Sequence, residues 1–214
     1  MIMEIKVCKL KEIVTITGNV LTVGSDTIEP ILPKYGKEGD ACMDLFPIYC
    51  EYDSKRDRWI YHTGLSFAIG KEKDMVNEME LRPRSNLTKS DFYIPNSPGT
   101  LDWGYRGELL MMFKNRTDYN VVKALEELSY AIGNITPLNT KINYHLNKAR
   151  IQINFIRDSI NTPPYNCDGI DRCAQLLIRG RHEITWKEVN TVEELGTTER
   201  GTGGFGSTGG GVKK

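Results

Sequence analysis

The chain has 214 residues, 39% of them hydrophobic and 26% charged, which is enough apolar material for one soluble domain with a core. Lys plus Arg and Asp plus Glu each number 28, so the formal net charge is zero. That balance argues against a long nucleic-acid polymer as ligand and leaves open a small anion held by a few placed cations. No apolar run approaches the length of a membrane span, and the first residues lack the apolar stretch of a secretory signal, so a cytoplasmic location is expected.

The first elements are strands. IKVCKL, IVTITGNVLTV and WIYHTGLSFAI have strand length and composition, with Gly18-Asn19 and Gly24-Ser25 as turn signals. Between them Asp44 lies in GDACMDLF, just after a glycine-containing turn. MELRPRS follows, and RPRSNLTKSDF sets Arg84 beside Ser85, a guanidinium fork and a hydroxyl suited to phosphates. NSPGTLDWGYRGEL then carries Asn96, Gly99, Asp102, Tyr105 and Arg106, in a hairpin that can turn Asp102 and Tyr105 toward one pocket.

GELLMMF is a further strand candidate. From Asp118 to Ile132 the pattern changes: Val121, Leu125, Leu128 and Ile132 recur at helical spacing, with Asp118 as N-cap and Gly133 as stop. RIQINFI and RCAQLLI return to strand composition, and GIDRCAQLLI offers Gln175. RGTGGFGSTGGGVKK closes the sequence, placing Arg200, Phe205, Gly206, Ser207 and Thr208 among glycines whose amides can nest an anion. Five cysteines (Cys8, Cys42, Cys50, Cys167, Cys173) form no CxxC pair, and their spacing to His62, His145 and His182 does not match common zinc sites, so reduced packing thiols are expected.

These elements predict an all-β fold, a jelly-roll-like β-sandwich with a small helical insertion. Residues 1–116 and 151–198 form the single β domain, 117–150 the insertion, and 199–214 a Gly-rich segment. Taken one at a time, each polar motif has an ordinary structural reading as a loop acid, a hairpin or a strand-edge amide.

Together and in this order, the five polar motifs resemble the signature of trimeric dUTPases. GDACMDLF resembles the first motif, RPRSNLTKSDF the second, NSPGTLDWGYRGEL the third, GIDRCAQLLI the fourth and RGTGGFGSTGG the fifth. The resemblance implies hydrolysis of dUTP to dUMP and pyrophosphate with Mg2+, which limits uracil incorporation into DNA and supplies dUMP. It makes Asp102 the base that activates water and Tyr105 the wall that excludes a 2′-hydroxyl. Asn96 and the main chain around Gly99 would read uracil. Arg84, Ser85, Arg106 and Gln175 would contact substrate, chiefly its phosphates. Arg200, Gly206, Ser207 and Thr208 would hold the γ-phosphate end while Phe205 stacks on the base, as a lid. Asp44 would meet Mg2+ through water. A homotrimer with active sites shared among subunits is implied as well.

Several departures stand out. Asn86 replaces a glycine in the second motif, Met43 an aromatic in the first, and Gly104 stands where many members have an acid. The third and fourth motifs are unusually far apart, as in phage-type members. A dCTP deaminase, which shares the fold, is the enzyme alternative, but Met112 occupies its catalytic glutamate position in MMFKN. A third reading is a regulator whose insertion binds a protein partner.

Overall fold

The computed structural model describes residues 2–72, 75–134, 140–179, 183–199 and 201. Its strands are β1 (Ile2–Lys9), β2 (Glu12–Val14), β3 (Val20–Thr22), β4 (Lys34–Tyr35), β5 (Met43–Leu45), β6 (Tyr49–Asp53), β7 (Arg58–Ile69), β8 (Lys71–Glu72), β9 (Met75–Val76), β10 (Met79–Pro83), β11 (Phe92–Tyr93), β12 (Gly99–Leu101) and β13 (Glu108–Asn115). Two helices follow, α1 (Tyr119–Gly133) and α2 (Thr140–Asn161), and then β14 (Ala174–Ile178) and β15 (Glu183–Val189).

Two sheets face each other across one core. One runs β11-β13-β7-β1-β15, with β6 also paired to β7, and the other runs β12-β10-β14-β5-β4. Alternation puts Ile5, Val7, Tyr61, Leu65, Phe67, Met111 and Phe113 of the first sheet against Met43, Leu45, Met79, Leu81 and Leu176 of the second. The expected β-sandwich is therefore present. Each of these large apolar side chains gains about 1.5–3 kcal/mol on leaving water.

The long strand β7 is buried on both faces from Ile60 to Ile69. Its first half pairs with β6 and its second half with β1. Gly64 sits at the change of partner with φ +64°, and a Cβ there would meet Ile48 Cδ1 at 2.6 Å and Pro30 Cγ at 2.8 Å. Only glycine suits that position.

The segment expected as an insertion holds the two helices, packed as a hairpin. Asp118 caps α1, its carboxylate accepting from Asn120 N at 2.7 Å. The segment RIQINFI, expected as a strand, lies within α2, which runs to Asn161, beyond the expected boundary at 150. Its alternation is real, but Leu146, Ala149, Ile153, Ile156 and Ile160 also recur at steps of three and four, and packing on α1 selects the helical period. Val122, Ile153 and Ile160 form the seam between the helices. The apolar row read from the sequence of α1 faces elsewhere: Val121, Leu125 and Leu128 are 54%, 43% and 56% exposed. The hairpin is tied to the sandwich where Trp59 Nε1 donates to Ile160 O at 3.2 Å.

Candidate active site

Four of the five motifs fall on or beside the second sheet. Register brings Asp44 of β5 opposite Gln175 of β14, and Gln175 opposite Arg82 of β10. Arg84 and Ser85 follow directly where β10 ends. The first, second and fourth motifs thus meet at one end of the sheet, while β12 of the third motif forms its edge beyond β10.

The first group is built around the buried Asp44 carboxylate. Arg172 NH1 donates to its Oδ2 at 3.0 Å, Gln175 Nε2 donates to its Oδ1 at 3.4 Å, and Arg84 Nε lies 3.1 Å from Oδ1. That last contact is an ion pair by distance only; the buried Arg84 Nε has no aligned hydrogen-bond acceptor. Arg84 NH1 donates to Arg172 O at 3.3 Å. Two guanidiniums therefore converge on the Asp44 carboxylate, with Asp40 close by, and the buried Arg84 Nε is left without an aligned acceptor, which an anion could supply. Ser85, exposed, opens the short 3-10 turn Ser85–Lys89 beside it. Arg172 was not singled out from the sequence, although it stands within the fourth motif.

The second group lines a cavity of about 160 Å3 whose walls include Asn96, Gly99, Leu101, Asp102, Tyr105 and Glu108. All four third-motif residues expected around a nucleoside, Asn96, Gly99, Asp102 and Tyr105, are brought together here. A turn positions them: Tyr105 N donates to Asp102 O at 3.0 Å. The Tyr105 hydroxyl then donates to Glu108 O at 2.9 Å. Burial, with the Glu108 charge nearby, pushes this phenol up, so it remains a donor. A Cβ on Gly107 would meet the Tyr105 side chain within 2.5–2.9 Å, so glycine is needed for the ring to fold back over the strand.

Arg106, expected on substrate, does not line this cavity. Its guanidinium NH1 donates to Trp103 O at 2.6 Å and Tyr105 O at 2.9 Å, and its Nε donates to Gly196 O at 3.3 Å. It braces the turn from behind. Thr198 shares that work, donating from Oγ1 to Gly104 O at 2.7 Å, and Arg106 N donates to Gly201 O at 2.9 Å. The chain segment leading into the fifth motif is thus docked on the third-motif hairpin. Arg200, Phe205, Gly206, Ser207 and Thr208 lie outside the described residues.

Among the described residues no three His, Cys, Asp or Glu side chains gather as a metal cage.

No family model matches the sequence. The chain is 31% identical over 186 residues to the deoxyuridine 5'-triphosphate nucleotidohydrolase of Rickettsia canadensis, covering 83% of this chain and 88% of that protein. It is 29% identical over 182 residues to the enzyme of the same name from Clostridium acetobutylicum, covering 84% of this chain and 89% of that protein. Among solved structures it is similar to a dUTPase mutant from phage phi11 of S. aureus, at 20% identity and a TM-score of 0.41, covering 76% of this chain and 91% of that one. Matched along most of its length to the Rickettsia canadensis and Clostridium acetobutylicum enzymes, and carrying Asp44, Arg84, Asp102, Tyr105 and Gln175 on one sheet and its edge hairpin, the chain belongs to the deoxyuridine 5'-triphosphate nucleotidohydrolase (dUTPase) family.

Proposed function

We infer that the chain hydrolyses dUTP to dUMP and pyrophosphate by attack of water on the α-phosphate. The observation that carries this is the cavity uniting Asp102, Tyr105, Asn96 and Gly99. Asp102 takes a proton from the attacking water as its oxygen bonds to the α-phosphorus. The bond from that phosphorus to the bridging oxygen breaks, and pyrophosphate leaves with the electron pair. Tyr105 walls the sugar, and Arg84, Ser85, Arg172 and Gln175 hold phosphate oxygens. The test is pyrophosphate release from dUTP, dCTP and dTTP. Turnover of dUTP alone is expected; ammonia release from dCTP would favour the deaminase reading instead.

The phosphate-binding group and the cavity do not share lining residues: Arg84, Ser85 and Gln175 are absent from the cavity wall. This supports a homotrimer in which the cavity of one subunit meets the Asp44 cluster of a neighbour, with the Gly-rich segment contributed by the remaining subunit. Sedimentation equilibrium tests it, and an active monomer would refute it.

Mg2+ fits this arrangement only as a hydrated ion carried by the substrate. Both Asp44 oxygens are engaged by Arg172, Arg84 and Gln175, so the carboxylate can reach a metal through water but does not form an inner-sphere cage. When bound, the ion would offset phosphate charge.

Gly107→Ala is expected to raise KM for dUTP by about tenfold with the protein still folded, because the new methyl displaces the Tyr105 ring. An unchanged KM would show that the ring does not wall the substrate.

A second reading concerns the insertion. The exposed row Val121, Leu125 and Leu128, with Tyr144, Ile151 and Phe155 of α2 at 65%, 69% and 76% exposure, supports a contact surface for a protein partner. Replacing residues 118–161 by a short Gly-Ser linker should leave a trimer with kcat/KM within roughly threefold of the parent, since surface insertions are tolerated at small entropic cost. A monomeric product would mean that the hairpin is a subunit contact.

A further inference from the structure

We propose that His62 is a positioning residue for the nucleotide cavity: held between Glu51 and Glu108, it fixes Glu108 and through it the Tyr105 wall. The proposal rests on reading that cavity as the dUTP pocket. His62 lies on β7 and is 1% exposed. Its Nδ1 lies 2.9 Å from Glu108 Oε2 and its Nε2 3.1 Å from Glu51 Oε1, both within hydrogen-bonding distance. Neither carboxylate is an idle surface group. Glu51 Oε1 also accepts from Ile16 N at 2.8 Å, and Glu108 Oε1 accepts from Gly64 N at 2.8 Å.

The arrangement repairs a break in the sheet. Between Glu108 and Leu110 the register of β13 against β7 shifts, so the ladder is interrupted where the catalytic hairpin joins the sandwich. Side chains replace the missing bonds: Thr63 Oγ1 donates to Leu109 O at 2.8 Å and Ser66 Oγ to Arg106 O at 2.6 Å. Glu108 does the same for Gly64, and its own carbonyl receives the Tyr105 hydroxyl. Glu108 also lines the cavity. A shift at Glu108 therefore moves Tyr105.

Charge decides whether Glu108 stays in place. Two carboxylates flank one ring, and only the doubly protonated imidazolium donates to both. Burial draws the His62 pKa down, but the hydrogen bonds and charges of Glu108 and Glu51 outweigh it, and the net shift is upward. From β6, Tyr49 also stacks near the ring with centroids 5.7 Å apart, its phenol raised by burial and Glu51, and Cys50 lies next along the strand. Because the folded pKa is raised, the positioning is complete below the ordinary imidazole range and is lost as pH rises through the folded value, above about 6.5.

The experiment is kcat and KM for dUTP against pH in the full chain. In the wild type, KM should hold steady and then climb about tenfold on an alkaline limb, with kcat nearly constant. His62→Gln should have the raised KM at every pH and no limb. Glu108→Gln should move the limb toward lower pH, since one of the two charges raising His62 is gone. Cys50→Ser should leave the limb in place, which separates His62 from the neighbouring thiol. A His62→Gln enzyme with wild-type KM and limb would overturn the proposal. So would a limb that Glu108→Gln does not move, which keeps the test decisive where the His62 variant fails to fold. A wild type that neither binds nor turns over dUTP would instead overturn the reading of the cavity, and the positioning role with it.

Discussion

Asp102→Asn is expected to lower kcat for dUTP by about 10²–10⁴-fold while binding of a non-hydrolysable dUTP analogue stays within a few-fold of the parent, the range typical for loss of a positioned base. The substitution keeps size and shape but removes the negative charge and the ability to accept a proton from water. The turn is closed by the main chain: Tyr105 N donates to the Asp102 main-chain oxygen, and Arg106 braces the loop through the carbonyls of Trp103 and Tyr105. Folding and the cavity wall should therefore survive the change. Single-turnover kinetics isolate the chemical step from product release, and calorimetry reports analogue affinity. A single-turnover rate within tenfold of the parent would remove Asp102 from the base role. Equal losses in rate and affinity would make it a substrate anchor instead.

The sequence is most informative where function depends on local spacing. Asp102 and Tyr105 are three residues apart, and a single turn brings both to one cavity, so their partnership can be read from the motif itself. Asp44, Arg84 and Gln175 are far apart in sequence; their grouping is legible only through resemblance to a family, and the register of β5, β10 and β14 is what brings them together. Sequence reasoning fails where a long-range partner decides the outcome. His62 suggests at most a metal ligand when read alone, because Glu51 and Glu108 reach it from two other strands. Arg106 sits beside Tyr105 in the third motif, and the sequence gives no sign of the three carbonyls its side chain meets, one of them on the distant Gly196. Thr198 gives no signal before the structure shows it gripping Gly104 O. RIQINFI fits both periods, and only the seam with Val122 selects the helix.

Truncation after Gly201 should reduce kcat/KM for dUTP by about 10²-fold or more, the scale at which imperfect closure and positioning reduce rates, while leaving the melting temperature of the free protein unchanged. The cut is placed by the structure. Gly201 O accepts from Arg106 N, and Gly201 N donates to Thr198 Oγ1 at 3.1 Å, so ending the chain there keeps the bonds that dock this segment on the third-motif hairpin. What is removed includes Phe205, Gly206, Ser207 and Thr208, the residues that match the family's substrate-closing motif. They carry no apolar periodicity and so can add little to the core, whereas a stacking ring, two hydroxyls and glycine amides can cover a bound nucleotide and shed its water. An ordinary linker in the same place predicts no kinetic change at all. Unchanged kcat/KM would thus refute the lid. A fall in melting temperature without nucleotide would assign the segment to subunit bracing. Phe205→Ala divides the effect further: loss of one stacking partner should weaken analogue binding by about 1–3 kcal/mol, as for bases stacked on aromatic side chains in single-strand binders. A Phe205→Ala protein that binds the analogue normally, in a background where truncation abolishes activity, would shift the lid's contribution from the ring to Ser207 and Thr208, the residues expected on the phosphates.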